Sequence, residues 1–316
     1  MDQLDIRILR HLLQAQTVWP ARPGLVASNR QVARALGVSP GTVRNRILKM
    51  VRTGFVSGFQ VYPNPNALGL SSGSYAIEVP STTPKPEVMR RLAKVEGVVF
   101  FENFRGNLLG LGITYSGPAA LQRLLARINE VAHCPPGAFT HVEHPPATGP
   151  LTPAEWKLVA RLMAGALVTY HQFATELGIS IRTLKRRISR LVRSGAILSF
   201  PRMEFRAISG GVTAELLVTF ADAASKTHAE TEILHRVEDW MIFAGIWKEF
   251  DIYRLILPNV AVINDLAAEV ARIDGVAFAR AELVDGLVPN FDAMRPYVEE
   301  RAASARVTAK RTVHAA

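Results

Sequence analysis

The chain has 316 residues, 48% of them apolar and 20% charged, with a single cysteine. A length of this order predicts two to four compact units, and the composition is that of a globular protein, which excludes wholesale disorder. Lys and Arg number 37 against 27 Asp and Glu, a formal charge of +10 that favours polyanionic partners, nucleic acid first, because each neutralised phosphate releases condensed counterions.

A membrane surface fits the sign of the charge equally well, but no apolar run approaches the roughly 18 residues of a spanning helix, and no amphipathic Lys-rich anchor is present. The opening Met1-Asp2-Gln3-Leu4-Asp5 lacks the basic start and apolar core of a signal peptide, so a cytoplasmic location is expected. Cys134 alone can make neither an intrachain disulfide nor a thiolate cluster and reads as an ordinary small side chain.

From the N-terminus, Leu4, Ile6, Ile8, Leu9, Leu12 and Leu13 follow helical spacing, with Asp2 and Asp5 favourably near the helix start. A loop with Pro20, Pro23 and Gly24 leads to Ser28, placed to cap a second helix, Asn29 to Leu36, which Gly37 ends. A third helix starts near Pro40, tolerated in a first turn, and runs to about Thr53, closed by Gly54. Ala33 and Gly37, four apart, suit a helix-turn-helix: the small Ala admits the next helix and the Gly permits a positive φ. On the third helix Val43, Ile47, Met50 and Val51 form a packing stripe, and Thr42, Asn45, Lys49 and Arg52 lie opposite. Phe55 to Tyr62 reads as a wing strand.

Next come a strand (Ser74 to Val79), a helix (Pro86 to Lys94), two strands (Val98 to Phe104, Leu108 to Tyr115), a helix (Pro118 to Val131) and a strand (Phe139 to Val142). This βαββαβ order is the ferredoxin-like pattern, an antiparallel sheet covered on one face by two helices. His144-Pro145-Pro146-Ala147-Thr148-Gly149-Pro150 then stops helix and strand alike.

Beyond that stop the chain repeats itself. Leu36-Gly37-Val38-Ser39 recurs as Leu177-Gly178-Ile179-Ser180, and at the same offset of 141 Ala33 meets Ala174, Thr42 meets Thr183, Arg46 meets Arg187, Gly54 meets Gly195 and Phe59 meets Phe200. A second third-helix follows, with Leu184, Ile188, Leu191 and Val192 as its stripe and Arg182, Thr183, Arg186, Arg190 and Arg193 facing away. Ala196 to Phe205 is its wing. The second βαββαβ runs through Thr213 to Phe220, His228 to Val237, Met241 to Ile246, Ile252 to Leu257, Val260 to Ile273 and Val276 to Val284. The expected fold is therefore α+β, two tandem copies of a winged helix-turn-helix plus a ferredoxin-like domain. The units are 1–62 and 63–148, then 149–206 and 207–296, with a basic disordered tail over 297–316 that carries Arg301, Arg306, Lys310 and Arg311.

No acidic residue interrupts the free face of either third helix. A helix presenting Arg, Lys, Thr and Asn suits the major groove, where Arg binds guanine bidentately, Asn pairs with adenine and further cations reach phosphates. The candidate DNA-binding residues are Thr42, Asn45, Arg46, Lys49 and Arg52 with Arg182, Thr183, Arg186, Arg190 and Arg193; Asn45 and Arg186 are the expected base readers.

The order of winged helix-turn-helix and βαββαβ, with Leu36-Gly37-Val38-Ser39-Pro40-Gly41-Thr42-Val43-Arg44-Asn45-Arg46-Ile47 at its centre, resembles the Lrp/AsnC (leucine-responsive, feast/famine) regulators over nearly the whole of each copy. The resemblance implies double-stranded DNA as partner, a homo-oligomer (dimer) through the ferredoxin-like domains, and an amino acid or other small-molecule effector there. The family's effector segment, a Gly followed shortly by an Asp, is echoed in Gly245 to Asp251, making those two the candidate effector residues; Asn103-Phe104-Arg105-Gly106-Asn107 in the first copy has no such Asp. The expected form is a fused pseudo-dimer with both recognition helices in one chain.

The cluster His133, Cys134, His141 and His144 has poor spacing for zinc, since adjacent His133 and Cys134 would be strained as joint ligands. No phosphate-cradling glycine loop and no nucleophile elbow occur, so neither a cofactor nor a catalytic residue is expected. The rival reading is a fused sirohaem-decarboxylase-like enzyme, which resembles the same architecture and would act on an acidic tetrapyrrole.

Overall fold

The computed structural model describes residues 1–12, 18–19, 29–164, 170–248 and 250–303. The expected loop with Pro20, Pro23, Gly24 and the Ser28 cap lies outside these residues, as does the tail with Arg306, Lys310 and Arg311.

The first helix-turn-helix consists of α1 (Gln3–Leu12), α2 (Asn29–Leu36) and α3 (Pro40–Arg52), with the two-residue strand β1 (Val18–Trp19) between α1 and α2. Gly37 takes φ 67° and Gly54 φ 75°, the left-handed conformations that let α2 and α3 end sharply. After β2 (Val56–Pro63) and the short α4 (Pro65–Leu68) come β3 (Ser71–Glu78), α5 (Lys85–Leu92), β4 (Val98–Phe104), β5 (Leu108–Tyr115), α6 (Pro118–Ala132) and β6 (Ala138–Val142). Residues 143–152 carry neither helix nor strand. The second copy gives α7 (Pro153–Met163), α8 (Tyr170–Glu176), α9 (Ile181–Arg193) and β7 (Ile197–Met203). There follow β8 (Val212–Phe220), α10 (Ala223–Val237), β9 (Met241–Ile246), β10 (Phe250–Leu257), α11 (Val260–Val270), β11 (Val276–Pro289) and α12 (Arg295–Ala303).

Strands β6-β3-β5-β4 and β11-β8-β10-β9 have the same order within each copy, last strand, first, third, second. The two half-sheets fuse into one nine-stranded sheet through β11, whose first part pairs with β8 and whose end, Val284 to Pro289, pairs with β4 past a bulge at Val284/Gly286. The expected end of this strand at Val284 falls five residues short, because its continuation is held by the other copy. The wings likewise pair with each other: β2 runs antiparallel to β7, with Phe59 opposite Pro201 and Gln60 opposite Phe200. With the offset of 141 these pairs are mutual equivalents, so a pseudo-dyad passes between them.

Packing is crosswise. The core of the first helix-turn-helix, Ile8, Leu9, Val43 and Met50, is completed by Phe205, Ile242, Ile256 and Val284 from the second half. That of the second, Val159, Leu184 and Leu191, is completed by Tyr62, Leu68 and Val99 from the first half, and by Phe291, Met294 and Val298 from the C-terminal segment. Each sheet has its own core beneath α5 and α6 (Leu92, Leu109, Ile128) or α10 and α11 (Ile233, Tyr253, Leu266).

Two expectations are corrected. The tail expected from 297 is helical to Ala303, since Val298 is fully buried against the second helix-turn-helix core. Val51, placed in the packing stripe of α3, is 47% exposed at the rim of the stripe, whereas its equivalent Val192, 7% exposed, shares a cluster with Val298 of the C-terminal helix. Among the described residues no helix is long and apolar enough to cross a membrane.

Candidate nucleic-acid interface

Both recognition helices begin in the same way. Ser39 Oγ accepts the Thr42 N–H at 3.0 Å and Ser180 Oγ accepts the Thr183 N–H at 3.1 Å, satisfying one of the donors that a helix start leaves open. The hydroxyls of Thr42 and Thr183 bond to the same serines at 2.9 and 3.0 Å, half-buried at the head of each helix.

Outward lie Asn45, Lys49 and Arg52 on α3 and Arg182, Arg186, Arg190 and Arg193 on α9, all exposed. Arg52 Nε donates to the Leu48 carbonyl of its own helix at 3.3 Å, which leaves its outer nitrogens on the surface. Arg46 is placed differently. Its guanidinium is paired with Asp2 and, at 3.2 Å, with the 2%-exposed Asp5, at the start of α1. Arg190 repeats this in the second copy by reaching Glu155 Oε1 at 3.1 Å, while 55% of its own side chain stays exposed. Both acids belong to a reciprocal cap of the first helix, Asp2 with Asp5 and Thr152 with Glu155. An arginine thus ties each recognition helix to its supporting helix. Sequence reasoning passed over Arg44, Leu48, Lys185 and Ser189, which are also exposed on these faces. The 100° spacing gives their direction, but Leu48 is apolar and was not sought on a cationic face.

The candidate effector pair is put to internal use. Asp251 is fully buried, paired with Lys226 Nζ through Oδ1 and accepting the Tyr253 hydroxyl at 3.0 Å through Oδ2. Burial outweighs these partners and holds its carboxyl above the usual range. Lys226 also donates to the Trp247 carbonyl. Its equivalent at the same offset, Lys85, donates to the carbonyls of Phe104, Gly106 and Leu108, at 2.7 Å for Gly106 and 3.0 Å for Leu108. Each copy therefore closes the turn between its second and third sheet strands, β4 and β5 or β9 and β10, with its own lysine. Gly245 lies under Trp247, whose ring a Cβ would meet at 2.3 Å, so the glycine lets the indole fold back over the sheet.

Trp247 in turn lines a cavity of about 230 Å³ between the open faces of the half-sheets. Small residues of the first copy (Ser72, Gly110, Gly112, Thr114) face Phe243, Trp247, Ile252 and Arg254 of the second. Among the described residues, Ser72 Oγ, Trp247 Nε1 and Arg254 Nε are buried without a hydrogen-bond partner. Arg254, 6% exposed, is paired with Glu102 of the first copy and, at 2.5 Å, with Glu215 of the second. Burial, then the neighbouring Glu282, raise the Glu215 carboxyl above its ordinary range, and the guanidinium lying between the two carboxyls offsets their charge. His144, on the same wall, is driven down to about 3 by burial and by His141 and is a neutral imidazole. His141 itself bonds the Tyr115 hydroxyl at 2.9 Å. Among the described residues no three of His, Cys, Asp or Glu are placed to hold a metal.

By fold and surface the class is a helix-turn-helix protein on paired ferredoxin-like domains. Residues 1–51 match the AsnC-type helix-turn-helix domain. Over 69 residues the chain is 36% identical to the HTH-type transcriptional regulator Ptr1 of Methanocaldococcus jannaschii, covering 22% of this chain and 40% of that one. Over 100 residues it is 29% identical to the regulatory protein AsnC of Escherichia coli K12, covering 31% and 59%. The matched region thus spans about half the length of these relatives. Among solved structures, the siroheme decarboxylase NirDL superimposes over 96% of this chain and 99% of its own with a TM-score of 0.53 and 13% identity, a likeness of fold alone. The N-terminal part of the chain thus carries an AsnC-type helix-turn-helix domain and is similar there to Lrp/AsnC regulators.

Proposed function

We propose that this protein is a sequence-specific DNA-binding transcription regulator in which one chain supplies two recognition helices. The observation that carries the reading is the pair of outward faces on α3 and α9, cationic, free of acidic residues and capped alike, on wings joined across a pseudo-dyad. Operator half-sites related by a dyad call for that arrangement. Asn45 and Arg186 read bases; Lys49, Arg52, Arg182, Arg190 and Arg193 bind mainly phosphate, and the Thr42 and Thr183 hydroxyls sit at the approach to the backbone. Arg46 acts through its hold on α1. The AsnC-type helix-turn-helix domain and the regulators similar to it support the same reading; the protein so read is cytoplasmic and a dimer of chains, which doubles the heads to four.

The effector belongs to the cavity between the sheets rather than to Asp251, whose carboxylate is already taken by Lys226. Its apolar walls, an Arg254 already paired with carboxyls, and the unpartnered Ser72 and Trp247 groups suit a small uncharged molecule with a hydrogen-bond acceptor. The same features weigh against the decarboxylase reading. A volume of about 230 Å³ is below the usual range for ligands of drug size, and one neutralised arginine offers little to a polycarboxylate macrocycle.

Selection of bound duplexes from a randomised pool by the purified chain tests the proposal. An enriched motif is expected, and Arg186→Ala should weaken binding to it by about 1–3 kcal/mol while sparing random DNA. No enriched sequence, together with porphyrin absorbance in the purified protein, refutes the regulator and supports the enzyme.

A further inference from the structure

The two DNA-facing surfaces are related by a pseudo-dyad, yet they are not chemically alike. At the offset of 141 the framework agrees: Ser39 with Ser180 as cap, Thr42 with Thr183, Arg46 with Arg187, Arg52 with Arg193. Arg182 stands against Gly41 at the helix start, and the remaining outer cations keep their charge and change only their type, Arg44 against Lys185 and Lys49 against Arg190. Contacts of that kind go to phosphates and carry no sequence information. Two positions at the middle of the exposed face change chemical class. Asn45 becomes Arg186, and Leu48, 44% exposed among charged neighbours, becomes Ser189.

A leucine exposed on a cationic helix can meet the thymine methyl in a major groove, and an asparagine amide matches adenine N6 and N7. An arginine at the equivalent place matches guanine O6 and N7. We infer that the DNA site of this protein is not a palindrome but a composite of two unlike halves, an A·T half read by Asn45 and Leu48 and a guanine-bearing half read by Arg186, so that the chain binds in one orientation. This rests on the regulator reading above and adds the asymmetry of the partner. A homodimer presents one surface twice and cannot make that distinction, whereas a covalent pair of unlike heads can.

The test is selection from a randomised duplex pool with the wild-type chain and with the double variant Asn45→Arg, Leu48→Ser. The wild type should enrich two unlike half-sites, one guanine-poor. The variant, altered only at exposed positions and checked for an unchanged melting curve, should enrich guanines in both halves and lose about 5- to 150-fold in affinity for the composite site, the span of one good base contact. As a mirror test, Arg186→Asn should lose the guanine half alone. A palindrome from the wild type, or a variant motif identical to that of the wild type, overturns the inference while leaving a sequence-specific regulator in place. Absence of any enriched motif removes both.

Discussion

Replacing Arg254 by methionine strips the guanidinium from a buried cluster that spans both halves of the chain. The guanidinium is 6% exposed and is shared by Glu102 on β4 and Glu215 on β8, whose side chains are 15% and 12% exposed. Breaking a buried pair by removing one partner costs about 3–5 kcal/mol, because an uncompensated charge stays behind. Burial already raises the Glu215 carboxyl, so protonation relieves part of the cost once the guanidinium is gone, which places it near the lower end. Taking roughly 2.1 cal/mol/K of unfolding entropy per residue over the chain, a loss of about 3 kcal/mol lowers Tm by about 5 °C. Urea and thermal unfolding of Arg254→Met should show this loss. The triple variant Arg254→Met, Glu102→Gln, Glu215→Gln should recover most of it, as no charge remains unpaired. A single variant that loses under about 1 kcal/mol, or a triple variant no better than the single, refutes the argument that charge compensation holds this site.

Two further outcomes follow from buried groups near the junction of the repeats. The folded state holds His144 at about 3, below its ordinary 6.5, so the unfolded chain binds the extra proton first as pH falls. Stability is then complete above about pH 6.5 and falls toward pH 3 by up to about 1.4 kcal/mol per unit relative to His144→Gln; parallel urea midpoints for the two proteins at pH 7 and pH 5 rule this out. Asn64, fully buried, donates to the Pro145 carbonyl at 2.8 Å and the Gly195 carbonyl at 2.7 Å, fastening the inter-repeat segment to the end of the second recognition helix. Asn64→Ala takes this donor from the Gly195 carbonyl and leaves the Pro145 carbonyl with Asn66 Nδ2 at 3.2 Å, and should cost about 1–3 kcal/mol in urea unfolding, against the roughly 0.5 kcal/mol of an ordinary surface change that would count against it.

Much of the fold was legible because periodicity and glycine placement are local signals. The 3.6-residue stripe of Leu184, Ile188, Leu191 and Val192 is buried throughout, and Gly37 and Gly178 take the positive φ the turn needs. Val51 was not legible, since whether the rim of a stripe is covered depends on what packs there. Sequence spacing could indicate that Arg46 and Arg190 lie on recognition helices but not that Asp5 and Glu155 face them, because those contacts form only when α1 and α7 dock. Lys85 and Lys226 share the repeat offset and could have been noticed; that each ammonium closes a turn is visible only with the carbonyls in place. Nor does a repeat say which copy completes which core: β11 and the paired wings exchange partners across the pseudo-dyad, and an offset of 141 is blind to that choice.

The crosswise cores impose an order on the birth of the molecule. Ile8, Leu9, Val43 and Met50 lie near the front of the chain, but the residues that floor them, Phe205, Ile242, Ile256 and Val284, are made far later. At a synthesis rate of roughly 5–20 residues per second, the leading head waits roughly 10 to 50 s on the ribosome with an apolar side uncovered. Its ribosome-bound form is therefore a natural client for chaperones, and truncation ahead of Val284 leaves even the first head unfinished.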